Sequence, residues 1–295
     1  MALVHDTVTF LSDYGRTDEF VGVVHSVIRD RAPGVAVVDL THDVAPHDVR
    51  SGGLVLARSA PYLCPGVVLA VVDPGVGGDR RSVAVEVGGG TSVLLGPDNG
   101  LLAPVVAMCG GATAAVELTN TEYHLEAPGP TFAGRDVFAP VAAALCTGTP
   151  LADLGDALDP AGLLPGVLPV ARFDDDDLVC EVLWVDRFGN AQLNVDPGEL
   201  DSLVGADEPV EIEVGGTVRV ANRVDTYARV GAGSVGLVVD SYGLVSVALD
   251  RASAAGDLGL SPSVEVRLRS VADDDGAGGR SGGVSVAVGM PGRRP

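Results

Sequence analysis

Apolar and polar positions change their period midway along the chain. In the first 165 residues, short Val-rich runs (VTFLS, VAVVDL, GVVLAVVD, VAVEV and SVLLG) read as buried strands punctuated by Gly, Pro and Asp. Helical spacing fills the gaps between them. DEFVGVVHSVIRDRAP puts Phe20, Val23, Val24, Val27 and Ile28 on one helix face, and Pro33 ends it. DVRSGGLVLARSAPYL, NGLLAPVVAMCG and DVFAPVAAALCTG read as further helices. Strand and helix alternating in this way predict an α/β domain with a largely parallel sheet.

From about residue 175 the pattern turns to period two. LVCEVLWVDRFGNAQLNV, PVEIEVGGTVRVA, SVGLVVDSYGLVSVAL and SVEVRLRSV alternate with turn signals, as in a compact all-β domain. The expected division is an N-terminal α/β domain over 1–165, a linker over 166–177, a β domain over 178–270 and a Gly-rich flexible tail over 271–295. The linker closes in four aspartates, read as a solvated turn because calcium loops space their acids.

Composition narrows the function classes. Of 295 residues, 46% are hydrophobic but only 4% aromatic, so the core is built from Val, Ala and Leu. The formal charge is −21, and every one of the 19 basic residues is arginine. Such a surface repels phosphate backbones, which argues against nucleic acid as a partner. It fits a protein kept soluble in concentrated salt, and a halophilic source is the first reading. Cys64, Cys109, Cys146 and Cys180 form no CxxC pair and read as buried free thiols of a cytoplasmic protein. The N-terminus carries no signal-peptide pattern, and no apolar run reaches the length of a membrane helix.

Candidate chemistry gathers where strands stop. LSDYG, VVDPGVG and LLGPDNG each end an apolar run in Asp and Gly, and α/β sheets bind ligands at the carboxyl ends of their strands. Asp73 either caps a turn or projects a carboxylate into a cleft, with Arg80 folded back to fix it. Asp13 is either a turn residue or an acceptor for a ribose diol, and Asp18 could cap the following helix. His42, with Asp43, His47 and Asp48 nearby, is a weak metal pattern better read as a solvated loop. The glycines at 75, 77 and 78 do not make a GxGxxG, and neither GxxxxGK[ST] nor HExxH occurs. In WVDRFGNAQLNV, Phe188 and Asn190 suit a flat heteroaromatic base, against the alternative of a plain hairpin.

VTFLSDYGRTDEFVG, VVDLTHDVAPHDV, VVDPGVGGDRRSVAV, GPDNGLL, TFAGRDVFAP, VDRFGN and DSYGLVSVAL occur in this order. Together, across about residues 7–270, they resemble the S-adenosyl-L-methionine (SAM) hydroxide adenosyltransferases, or SAM hydrolases, relatives of fluorinase and chlorinase. The resemblance implies an α/β N-terminal domain, a smaller β-barrel C-terminal domain, and a homotrimer with active sites between subunits. It implies water attack at C5′ of SAM, with the R-sulfonium epimer a candidate substrate, giving adenosine and L-methionine without metal or other cofactor. Asp73 and Arg80 match two members of a water-activating Asp-Arg-His set. Asp13 matches the ribose-holding acid, Phe188 and Asn190 the adenine contacts, and Asp186 a ligand position. Ser241 and Tyr242 match the segment at the methionine end, Leu249 a backbone contact to the base, and Phe132 joins the substrate-binding set. The third member of the catalytic set belongs to TFHGRD; here the motif is TFAGRD and the position is Ala133. His124, from the nearby segment, is one candidate to serve in its place. Because of Ala133, a catalytically weak SAM- or adenosine-binding protein is the alternative reading, with a SAM-dependent chlorinase third.

Overall fold

The computed structural model describes residues 3–166 and 168–271. Most of the segment expected as a flexible tail, 271–295, therefore lies outside the described residues.

The N-terminal half is a seven-stranded sheet in the order β2-β1-β3-β5-β4-β6-β7. Its strands are β1 (Thr7–Ser12), β2 (Ala36–Thr41), β3 (Val67–Val71), β4 (Ser82–Val87), β5 (Ser92–Pro97), β6 (Ala112–Glu117) and β7 (Asp156–Leu158). β2, β1, β3 and β5 run parallel, as the βαβ spacing predicts. The remaining half is antiparallel, because β4 and β5 are joined by a turn of only four residues, too short for a crossover. Four helices pack on the sheet: α1 (Phe20–Arg31), α2 (Val49–Ser59), α3 (Ala103–Met108) and α4 (Ala139–Cys146). Glu19 occupies the N-cap of α1 without a side-chain bond, so Asp18 does not cap it. On α2 the Asp48 side chain does cap, accepting the Ser51 N–H. Apolar side chains fill both faces of β1 and β3, which places one core on each side of the sheet.

The C-terminal half is a closed barrel. Its strands are β8 (Arg172–Asp174), β9 (Asp177–Val185), β10 (Ala191–Leu193), β11 (Val210–Val214), β12 (Thr217–Arg223), β13 (Val235–Val239), β14 (Val245–Leu249) and β15 (Glu265–Ser270), with α5 (Pro197–Leu203) and α6 (Ala254–Leu258) between them. Pairing runs β10-β14-β13-β12-β11-β15-β9 and returns from β9 to β10, with β8 outside the ring. Closure removes the open edges that a small sheet would otherwise expose. Two of the four aspartates, Asp174 and Asp177, flank the β8–β9 turn and pair with Arg267 and Arg269, so they brace the barrel as well as facing solvent.

Helix α2 joins the two halves. Arg50 bonds Glu181 and Ser263, and the Arg58 guanidinium carbon lies 4.6 Å from the Trp184 ring centre and 5.0 Å from that of Tyr242. Cys146 and Cys180 are buried, and burial pushes both thiols up to about 12. Cys64 and Cys109 are exposed, against the expectation of four buried thiols, because both stand just past a helix end in surface turns. Among the described residues no helix is long and apolar enough to cross a membrane.

Candidate active site

Strands β1 and β3 are neighbours, so the acids that follow them emerge side by side at one sheet edge. Asp13 and Asp73 line one cavity of about 250 Å³, together with Tyr14, His47, Phe132 and Ala133. The Asp73 side chain is only 5% exposed and is gripped by Arg80. Arg80 Nε donates to both carboxylate oxygens at 3.0 and 2.9 Å, Nη2 adds a third bond at 2.5 Å, and Nη1 donates to Ser82 Oγ at 2.6 Å. This fork fixes the carboxylate in rotation as well as in position. The glycines of the loop make it possible. Gly77 has φ +78°, and a Cβ there would lie 2.8 Å from the Pro130 carbonyl. From β5, Asn99 Nδ2 donates to Val72 O at 2.9 Å and braces the chain just before Asp73.

Asp13 is held differently. Its Oδ2 accepts the backbone N–H of His47 at 2.9 Å, and His47 takes the left-handed φ of +69° to present it. Tyr14 and Phe20, tilted to one another, each meet Phe132 edge to face in an aromatic wall beside the acids, with ring centres 5.0–5.7 Å apart. Burial first, then the charges of Asp13 and Asp73, drives the Tyr14 hydroxyl far above its usual pKa, so it stays a neutral phenol. Gly134 is needed there, since a Cβ would meet the Tyr14 hydroxyl at 2.3 Å.

Ala133 also lines a second cavity of about 580 Å³, with Arg80, Ser82, His124 and Asp136. His124 Nε2 is buried without a hydrogen-bond partner, and burial lowers its pKa. The third strand-end acid, Asp98, is diverted from the site. It bonds Arg81 and accepts the Leu164 N–H at 2.8 Å, tying down the connection to the barrel.

The remaining sequence candidates sit on the barrel, and none of them lines the Asp13–Asp73 cavity. Asp186 Oδ1 accepts the N–H groups of Phe188 and Asn190 at 2.8 and 2.9 Å, and Oδ2 accepts Asn190 Nδ2 at 2.8 Å. Phe188 is thereby lifted into solvent, 76% exposed. The turn carrying Ser241 and Tyr242 repeats the device. Asp240 accepts the Tyr242 N–H at 2.8 Å and bonds Gln192 and Ser246. Gly189 and Gly243 follow the two aromatics with φ of +82° and +83°. Leu249 ends β14, which pairs with β10 directly after the Asp186 turn.

His42 is not on a solvated loop. It is fully buried, 4.6 Å from Phe10 between ring centres, because its imidazole faces polar partners inside the sheet edge. His25, Asp39 and His42 bring ligand atoms within 4.8 Å of one another, and so form the metal-type cluster among the described residues. Its members differ from the His42, Asp43, His47 and Asp48 set that the sequence suggests. The 2.7 Å from His25 Nε2 to Asp39 Oδ1 is a hydrogen-bond length. Burial opposes a charge on Asp39, but the His42 and His25 imidazoles beside it outweigh that and lower its pKa.

Residues 8–155 match the family model of the SAM hydroxide adenosyltransferase N-terminal domain, and residues 180–267 match that of its C-terminal domain. The chain is 44% identical over 261 residues to an (R)-S-adenosyl-L-methionine hydrolase of Salinispora tropica, covering 88% of this chain and 97% of that protein. It is 40% identical over 276 residues to an (R)-S-adenosyl-L-methionine hydrolase of Thermus thermophilus, covering 88% and 98%. In structure it is similar to an uncharacterized conserved protein from Thermotoga maritima, with a TM-score of 0.81 and 31% identity over 89% of this chain and 99% of that one.

Proposed function

Because the chain belongs to the SAM hydroxide adenosyltransferase family, we propose that it hydrolyses SAM to adenosine and L-methionine. The R epimer is the substrate this reading favours, in line with the names of the relatives. One observation carries the proposal: a buried carboxylate clamped by a guanidinium shares a cavity with a second acid.

Asp13 accepts hydrogen bonds from the ribose hydroxyls and sets the sugar in the cavity. Asp73, unable to rotate under Arg80, accepts a hydrogen bond from the attacking water and holds it in line with C5′. The new O–C5′ bond forms as C5′–S⁺ breaks, and the bond pair returns to sulfur. Methionine leaves as a neutral thioether, so no acid catalyst is needed for departure. The proton of the water passes to Asp73 and then to solvent. No metal or other cofactor has a role in this scheme. Alignment of this kind contributes up to ~7–11 kcal/mol in favourable cases, whereas one acid–base residue adds about 10²–10⁴-fold. With Ala133 at the position of the motif histidine, the reading is a slower enzyme and not an inert one.

The site is completed by a neighbour. A cavity of about 250 Å³ falls below the ~300–1,000 Å³ usual for small-molecule sites. The base-binding candidates Phe188 and Asn190 stand on the barrel, apart from it. A homotrimer that seats one subunit's Asp186 and Asp240 turns over the next subunit's acids accounts for both facts. In that arrangement Phe188 stacks on adenine, Asn190 and the Leu249 backbone meet its edge, and Ser241 and Tyr242 approach the methionine end.

Incubation with each SAM epimer, followed by chromatography for adenosine and methionine, tests the reading. Both products are expected from a trimeric sample in equal amounts. A folded trimer that forms neither above background contradicts it, and SAM binding without turnover would point to a sensor.

A further inference from the structure

We infer that His42 is a positioning residue for Asp13, acting through Ser12 and steered by Asp39. The inference rests on the reading of Asp13 as the ribose-holding acid.

Asp13 lies between two residues that His42 controls. The Ser12 hydroxyl and His42 Nδ1 are 2.8 Å apart, and both side chains are fully buried. The same hydroxyl accepts the Tyr14 N–H at 3.3 Å. The His42 carbonyl accepts the Gly15 N–H at 2.8 Å. One residue, 29 positions away in sequence, thus contacts the Ser12 side chain before Asp13 and the Gly15 backbone two residues after it.

The direction of the chain follows from hydrogen-bonding capacity. His42 Nε2 lies 3.0 Å from Asp39 Oδ1 without a hydrogen bond to it, so it faces the carboxylate across an ion-pair distance. That neighbour favours the tautomer with its proton on Nε2. Nδ1 is then an acceptor, and the Ser12 O–H must donate to it. The Ser12 lone pairs are left to face Tyr14 N–H. A single tautomer therefore suits both the facing Asp39 carboxylate and the Ser12 hydroxyl. The order Ser-His-Asp is that of a hydrolytic triad, yet Ser12 is sealed off from any substrate, so the chain can orient but cannot attack. A buried polar chain is unfavourable unless it is satisfied. An apolar side chain against Phe10 would pack as well, but it could not set the Asp13 turn.

Calorimetry with adenosine and with 2′,3′-dideoxyadenosine tests this, because only adenosine carries the hydroxyls that Asp13 would hold. In wild type, adenosine is expected to bind more tightly. His42→Gln, checked for an unchanged melting temperature, should weaken adenosine about tenfold and leave dideoxyadenosine unchanged. A general loosening of the fold would weaken both ligands alike, and that result overturns the inference, as does no change in either. Should His42→Gln fail to fold, Asp39→Ala at the partly exposed end of the chain reads the same ratio and is expected to shift it in the same direction. Wild type that does not distinguish the two ligands would overturn the Asp13 reading itself.

Discussion

Asp13 and Asp73 on the sheet, and Asp186 and Asp240 on the barrel, all follow the ends of apolar strands, but their carboxylates are used differently. Asp186 is saturated by its own turn with three hydrogen bonds, and Asp240 by four, two from its turn and two from Gln192 and Ser246 on neighbouring barrel strands. What those turns present is the aromatic two positions on. Asp13 takes one backbone N–H, from His47, and Asp73 is held only by Arg80, which comes from beyond its own turn. These two carboxylates face a cavity. An acid saturated by local N–H groups is part of a scaffold, whereas one fixed from a distance and left facing a hollow is available for chemistry.

The largest effect expected from this contrast is at Asp73. Asp73→Asn keeps the shape and removes the charge, and kcat for adenosine release should fall about 10²–10⁴-fold. Unchanged turnover would remove Asp73 from the mechanism. Phe188→Ala should weaken substrate binding next most, since stacking on a base contributes roughly 1–3 kcal/mol, or about thirtyfold in KM at the middle of that range. Its melting temperature should stay constant, because the ring is 76% exposed.

The contrast in stability is sharper. Asp186→Ala frees three hydrogen-bond donors and should lower unfolding free energy by ~1–3 kcal/mol, while Asp13→Ala should cost less than about 1 kcal/mol. Urea unfolding of both variants compares them directly, and equal losses would erase the distinction between scaffold and site.

The smallest effect concerns pH. Burial lowers the pKa of His42 and His124 below the usual 6.5. The unfolded chain therefore takes up protons below about pH 6.5 that the folded chain refuses, and stability should fall as pH drops until the folded-state values are passed. His124→Gln should make that decline shallower by at most about one proton, as read from urea unfolding between pH 7.5 and 5.

Much of the fold is legible in the sequence because its signals are local. Val-rich runs ending in Asp and Gly mark β1, β3 and β5, and period-two alternation marks the barrel. The antiparallel half of the sheet is less legible, since VAVEV and SVLLG carry no sign of direction beyond the short turn between them. Within the site, Asp73 and Arg80 can be paired by spacing, since a Pro-Gly turn brings residues seven apart together. Tyr14, Phe20 and His47 escape such reading. Phe20 has helix-face spacing, yet it lies at the first position of α1 and turns to the cavity. His47 contributes its backbone N–H, to which side-chain identity is blind. The repeated Asp-x-aromatic-Gly of VDRFGN and DSYGL was a usable signal for the twin turns. His42 is misread in isolation because only the parallel pairing of β1 with β2 brings it behind Ser12.

The most direct test of the central claim is turnover of the R epimer of SAM in ¹⁸O-labelled water, with mass spectrometry of both products. Attack at C5′ by water held on Asp73 predicts one ¹⁸O in the adenosine and none in the methionine, with labelled adenosine falling in proportion to kcat in Asp73→Asn. Adenosine without label, or labelled adenosine formed equally well by Asp73→Asn, would contradict it.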